Sequence, residues 1–83
     1  VDTMRELEVY SREGCFLCED MLEALRQFQD ELDYTIRVYD IDEEEKLYAR
    51  YNALVPLVSL NGRELMRYHF ELATLRTALE NAE

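Results

Sequence analysis

The sequence predicts an α/β domain: a mixed four-stranded sheet with three helices, in the order strand, helix, strand, helix, strand, strand, helix (βαβ-α-ββα). Three observations predict it. Apolar residues alternate with period two in residues 6–10 and 34–39, and they recur with period 3.6 between Cys18 and Leu32. An Asn61-Gly62 pair stands between two further strand-like runs, and this dipeptide is the strongest short-range hairpin signal.

Each element has its own reason. Residues 6–10 (ELEVY) put Leu7 and Val9 to one side, as a strand does, and 11–14 (SREG) are turn-formers. From Cys18, the positions Cys18, Met21, Leu22, Leu25, Phe28 and Leu32 trace the apolar stripe of one amphipathic helix, with Glu19, Asp20, Glu23, Arg26 and Asp30 between them. Asp33 ends it, and a second strand follows in which Tyr34, Ile36 and Val38 alternate with Thr35, Arg37 and Tyr39. Asp42 followed by Glu43, Glu44 and Glu45 reads as a capping box whose carboxylates crowd the positive end of a short helix. That helix should carry Leu47, Tyr48 and Tyr51 inward and stop at Asn52. Residues 55–60 (VPLVSL) form a third strand, with Pro56 at its first position, where a missing N–H does least harm. Residues 63–68 (RELMRY) return antiparallel after the turn, and Leu72, Leu75 and Leu79 mark a last helix from about Glu71 to Asn81. A strand-helix-strand crossover makes the first two strands parallel, so the sheet is mixed and carries helices on both faces.

Composition narrows the function. The 83 residues carry 48% apolar side chains, two glycines, one proline and a formal charge of −10. A chain of this size forms one core, so residues 1–83 are expected to be a single domain. Nearly half apolar, the chain should fold, and its acidity reads as a solvated surface. Such a charge repels phosphate backbones and anionic lipid alike, so nucleic-acid and membrane partners are not expected. No run approaches a bilayer span and no basic-then-apolar leader is present, which points to a soluble, cytoplasmic protein. Val1 reads as a processing scar, with Met4 a candidate native start.

The two cysteines, Cys15 and Cys18, stand at the junction between the first strand and the first helix. A bridge between them closes a four-residue loop, worth roughly 2 kcal/mol by chain entropy and so a poor staple. Secreted domains of this size normally carry several bridges over long loops. Chemistry explains the pair better. Unpaired N–H groups and the helix dipole favour an anion at such a junction, here the thiolate of Cys15. Cys18, one turn inside the helix, is shielded yet within bridging reach, so one sulfur attacks while the other waits. The apolar Phe16 and Leu17 should lie beside Cys15 as part of a docking surface, unless Leu17 packs inward.

Plainer readings apply to the other candidates. Zinc wants four ligands, and only His69 joins the cysteines as a nitrogen or sulfur donor, so no metal or other cofactor is expected within one chain. A metal or iron-sulfur site shared between two chains through Cys15 is a separate possibility. His69 itself reads as a surface or satisfied core residue. Tyr34, Tyr39, Tyr48 and Tyr51 read as core and rim packing, and the Glu43-Glu44-Glu45 run as a solvated helix start.

Taken together, Arg12-Glu13-Gly14-Cys15-Phe16-Leu17-Cys18, Val55-Pro56 about forty residues later and the Asn61-Gly62 hairpin resemble the small glutaredoxin-like members of the thioredoxin superfamily. The resemblance runs from the strand at Leu7 to the helix ending near Glu80, and the C-x-L-C form is most like short glutaredoxin-like proteins. It implies a thioredoxin/glutaredoxin-like fold and a thiol-disulfide oxidoreductase, with Cys15 as nucleophile and Cys18 as resolving thiol. It further implies that Pro56 is a cis proline beside the pair and that the N–H and C=O of Val55 pair with a substrate backbone as an added strand. Arg12 matches a basic position that helps hold glutathione. The partners so implied are protein or small-molecule disulfides, with glutathione or a thioredoxin-type reductase as electron donor, and a monomer is expected. The glycine pair that opens the glutathione pocket in glutaredoxins is absent, and Met66, Arg67, Tyr68 and His69 should obstruct that pocket. The alternative is a thioredoxin-fold protein-binding module with little or no turnover.

Overall fold

The computed structural model describes residues 5–81; the candidate start at Met4 lies outside them. Strand β1 (Glu6–Ser11) alternates as read, with Leu7, Val9 and Ser11 buried. The expected long helix is instead two. Helix α1 (Phe16–Gln27) ends where Phe28 leaves helical geometry at φ −101°, ψ 5°, and a single further turn, α2 (Gln29–Leu32), follows. The physical reason lies in Phe28 itself: its ring stacks on Phe70 with centroids 5.7 Å apart, a partner reached across the fold. Asp33 closes α2 in the left-handed region at φ 56°, as a short polar side chain tolerates.

Strand β2 (Thr35–Asp40) runs parallel to β1 but at the sheet's edge, the order being β2-β1-β3-β4. Edge placement leaves Val38 45% exposed, while Tyr34 just before the strand is in the core. The capping box at Asp42 is not formed. Asp40 accepts from the Asp42 N–H (2.9 Å) and caps a 3₁₀ turn over Ile41–Glu43; helix α3 (Glu45–Tyr51) then starts with no side-chain cap. Asp42 has a stronger partner elsewhere, described below. Tyr48, expected inside, is 44% exposed, whereas Leu47 and Tyr51 are half-buried.

Strand β3 (Leu57–Leu60) is central and buried along its whole length, antiparallel to β1 on one side and to β4 (Arg63–Arg67) on the other. It starts one residue after Pro56. Asn61 and Gly62 both adopt positive φ, 54° and 81°, as a two-residue type I′ hairpin turn demands. Helix α4 (Leu72–Glu80) closes the chain.

The core lies on one face of the sheet, where Leu7, Val9, Val58, Leu60 and Met66 pack against Met21 and Leu25 of α1 and Leu75 and Leu79 of α4. The opposite face carries α3: Tyr51 stacks on Tyr10 at 4.2 Å, and Tyr10 stacks on Tyr39 at 5.2 Å. The sheet is therefore covered on both faces, more thinly by the short α3.

Candidate active site

The register of the sheet gathers the candidate residues at one end. Ser11 pairs with Asp40 and Tyr10 with Leu57, while Leu57 pairs with Arg67. The loops that leave β1, β2 and β4 and the segment that enters β3 thus share an edge. It is the edge beyond the carboxyl ends of the parallel strands, where open α/β sheets commonly hold their chemistry.

The cysteine loop turns at Gly14, whose φ of 76° suits a residue without Cβ. Cys15 is then the N-cap of α1. Its backbone is extended (φ −101°, ψ 110°), its C=O accepts from the Glu19 N–H (3.0 Å), and its Sγ accepts from the Cys18 N–H (3.2 Å). Sulfur thus takes the place a Ser or Asp oxygen normally holds at a helix start, where free N–H groups favour negative charge. Both cysteines are free thiols; Cys15 is half-buried and Cys18 is 2% exposed. Burial, and next the hydrogen bond with Cys15, push the Cys18 thiol up to about 12, against a smaller opposing pull from the Arg12 backbone. At neutral pH Cys18 therefore holds its proton while Cys15 meets solvent.

Phe16 is 82% exposed and Leu17 41% exposed, so both side chains stand outward beside Cys15. Arg12 is differently disposed from a free anion anchor. Its guanidinium donates to both oxygens of Asp42 (2.8 and 3.3 Å) and to Asn52 (3.4 Å to Oδ1), and it lies 5.5 Å from the centre of the Tyr48 ring. Sequence spacing gave no hint of this pairing, since Asp42 belongs to another loop; the adjacency of β1 and β2 creates it.

Val55-Pro56 is a cis peptide, and Pro56 is fully buried. Val55 is half-buried, and neither its N–H nor its C=O makes a hydrogen bond within the described residues. The Pro56 C=O, in contrast, accepts from the Tyr68 N–H (2.7 Å). Tyr68 also donates its hydroxyl to the Ala53 C=O (2.8 Å), so one residue brackets the segment 53–56 at both ends. It does so from φ 72°, in a tight turn closed by the His69 N–H on the Arg67 C=O (2.8 Å). Such γ-turns are uncommon for residues bearing a Cβ. The bulk at Tyr68 was legible in the sequence; its reach to Ala53 was not. His69 is exposed. Among the described residues, no group of three or more His, Cys, Asp or Glu is placed to hold a metal ion.

A mixed four-stranded sheet with a C-x-x-C pair at the mouth of its first helix and a cis proline ahead of the third strand defines a thioredoxin-superfamily protein. The chain belongs to the glutaredoxin-like domain family (DUF836), whose sequence profile matches residues 6–80. Among solved structures, the protein Ne2328 from Nitrosomonas europaea is 36% identical with a TM-score of 0.79, the match covering 94% of this chain and 93% of that one. Target protein XcR50 from X. campestris is 31% identical with a TM-score of 0.75, over 93% of this chain and 99% of that one. Oxidized glutaredoxin 2 from Chlamydomonas reinhardtii is 26% identical with a TM-score of 0.56, over 90% of this chain and 71% of that one. No curated protein sequence matches the chain. Fold and family agree on a scaffold with a cysteine pair suited to redox chemistry.

Proposed function

We propose that the protein is a thiol-disulfide oxidoreductase that works by dithiol exchange. The Cys15 thiolate attacks one sulfur of a substrate disulfide, forming a Cys15-substrate mixed disulfide and releasing the first substrate thiolate. The Cys18 thiol gives up its proton and attacks the Cys15 Sγ, which forms the Cys15–Cys18 disulfide and releases the second substrate thiolate. Two electrons pass from protein to substrate, the released thiolates take up protons, and an external thiol or reductase restores the pair. One observation carries the reading: an accessible Cys15 Sγ at the helix start, hydrogen-bonded by the Cys18 N–H (3.2 Å), with the Cys18 thiol buried beneath. The unpaired backbone of Val55 supports docking of an extended substrate strand beside it. A reducing, cytoplasmic setting suits a pair that must return to the dithiol state.

The donor is proposed to be a thioredoxin-type reductase rather than glutathione. Arg12 is engaged by Asp42, and Tyr68, in the stretch where glutaredoxins carry their glycine pair, is bulky and fixed by its hydroxyl on the Ala53 C=O.

The test is a trap. Purified Cys18→Ser protein incubated with a protein disulfide should accumulate a mixed disulfide on Cys15, visible by mass spectrometry and released by reductant. Cys15→Ser should give no adduct and no turnover. Equal loss in both variants with no adduct would overturn the assigned roles. The second reading, a binding module with negligible turnover, draws on the exposed Phe16, and insulin reduction at background rate with every reductant would favour it.

A further inference from the structure

The surroundings of Cys15 carry information about what docks there. Phe16 and Leu17 leave apolar surface in water at the mouth of the thiol, a feature that marks a contact surface. Around it stand carboxylates. Glu13 lies in the turn before Cys15, and Glu19, Asp20 and Glu23 share one face of α1 with Phe16 by their spacing of three, four and seven residues. All four are exposed and none makes an ion pair or a side-chain hydrogen bond within the described residues. Arg12, next to Glu13 in sequence, already faces Asp42 and Asn52, and Arg26, in the last turn of α1 and three residues beyond Glu23, makes no ion pair with any of the four. The field that an approaching disulfide meets is therefore negative, on a chain whose net charge is −10.

Backbone geometry adds the shape of the visitor. The free N–H and C=O of Val55 lie beside the N-terminus of β3, at the sheet end from which the cysteine loop departs. An extended main chain satisfies both groups; a small disulfide without peptide groups does not.

We propose that this surface docks cationic polypeptide disulfides: extended segments in which the cysteine is flanked by Lys or Arg, with an apolar contact on Phe16 and main-chain bonds to Val55. The proposal rests on the oxidoreductase reading above, and the exchange step is the one balanced there. Charge complementarity selects the occupant, so disulfides flanked by Asp or Glu are disfavoured at the same surface.

The experiment uses the reduced whole protein and three symmetrical peptide disulfides of equal length, with Lys, Gln or Glu on either side of the cysteine. Each second-order rate is divided by that of free 2-mercaptoethanol with the same peptide, which removes the intrinsic reactivity of the disulfide. At about 10 mM salt the normalised rate for the Lys peptide should exceed that for the Glu peptide by about tenfold or more, and at about 0.5 M salt the two should converge to within about twofold. Asp20→Asn combined with Glu19→Gln should narrow the low-salt ratio at least threefold, with far-ultraviolet circular dichroism confirming the fold. Phe16→Ser should lower all three rates together. Equal normalised rates, or a ratio unmoved by salt or by the charge substitutions, would overturn the proposal while leaving the oxidoreductase reading standing. A Gln peptide reduced no faster than by Cys15→Ser protein would overturn both.

Discussion

At Cys18 the burial of one thiol becomes a measurable pH dependence. The thiol's ordinary value is 9.0 and burial raises it to about 12 in the folded, reduced protein. The unfolded chain therefore releases this proton near pH 9 while the fold retains it, so the folded state binds more protons above that pH and stability falls as pH rises. The stabilisation is intact below pH 9 and is lost progressively toward pH 12. In a Cys15→Ser background, urea unfolding at pH 8 and pH 10 should differ by about 1.4 kcal/mol more than in the same background with Cys18→Ala. Identical differences in the two backgrounds would mean that the buried thiol titrates as it does in the unfolded chain. Tyr10 and Tyr34, also raised to about 12 by burial, add their own losses only above their ordinary value of 10.0, and equally in both backgrounds. The cysteine pair itself was legible in the sequence because a helix start and a C-x-x-C motif coincide within a few residues. The Tyr68-Ala53 and Arg12-Asp42 contacts were not, because each joins segments far apart in the chain, and local pattern holds no record of which loops the sheet will bring together.

Elements were read well wherever one face of a strand or helix had to be buried, and less well at their ends. The periodicity from Cys18 to Leu32 is real on both sides of Phe28, yet periodicity alone cannot register a break that a distant ring, Phe70, induces. The Asp42 cap failed for a similar reason: a carboxylate expected to cap a helix is taken by the guanidinium that tertiary structure delivers, and Asp40 serves the turn instead. Helix ends also show a residue that local reading missed. Arg5 donates to the C=O of Leu32 and of Asp33 (2.7 Å) at the end of α2, and to the C=O of Leu79 (3.2 Å) in the last turn of α4. Leu32 and Leu79 belong to the last turns of α2 and α4, whose carbonyls lack i+4 donors within the helix, and a cation there also answers the helix dipole. Arg5→Ala should lower the unfolding free energy by about 1.5–3 kcal/mol, measured by urea titration. Arg5→Lys should recover only part of the loss, since an ammonium lacks the fork that reaches both helices.

Over the whole molecule, the topology followed from order and turn chemistry alone, because a parallel crossover and an Asn-Gly hairpin leave few sheets to build. What topology could not announce is how the surplus of carboxylates is distributed. Three ion pairs, Arg12-Asp42, Arg67-Glu64 and Arg76-Glu31, lie within the described residues, and they leave most of the negative charge unopposed. The described fold extends 32 × 22 × 19 Å. At about 10 mM salt the screening length, about 30 Å, exceeds most of that span, and at about 100 mM it falls to about 10 Å. Self-repulsion of the compact state is therefore felt at low salt and screened at moderate salt. The urea midpoint should rise between 10 and 100 mM sodium chloride and then level off; a midpoint that falls with salt would show that attractive pairs dominate instead.

The tyrosine ladder on the α3 face gives the molecule a reporter of its own. With no tryptophan and six tyrosines, its ultraviolet emission and aromatic dichroism come from phenol rings, three of which, Tyr39, Tyr10 and Tyr51, are held in register, with Arg37 and Arg50 against the outer two. Any opening that lifts α3 from the sheet separates those rings and alters the spectrum, without a label and without touching either sulfur.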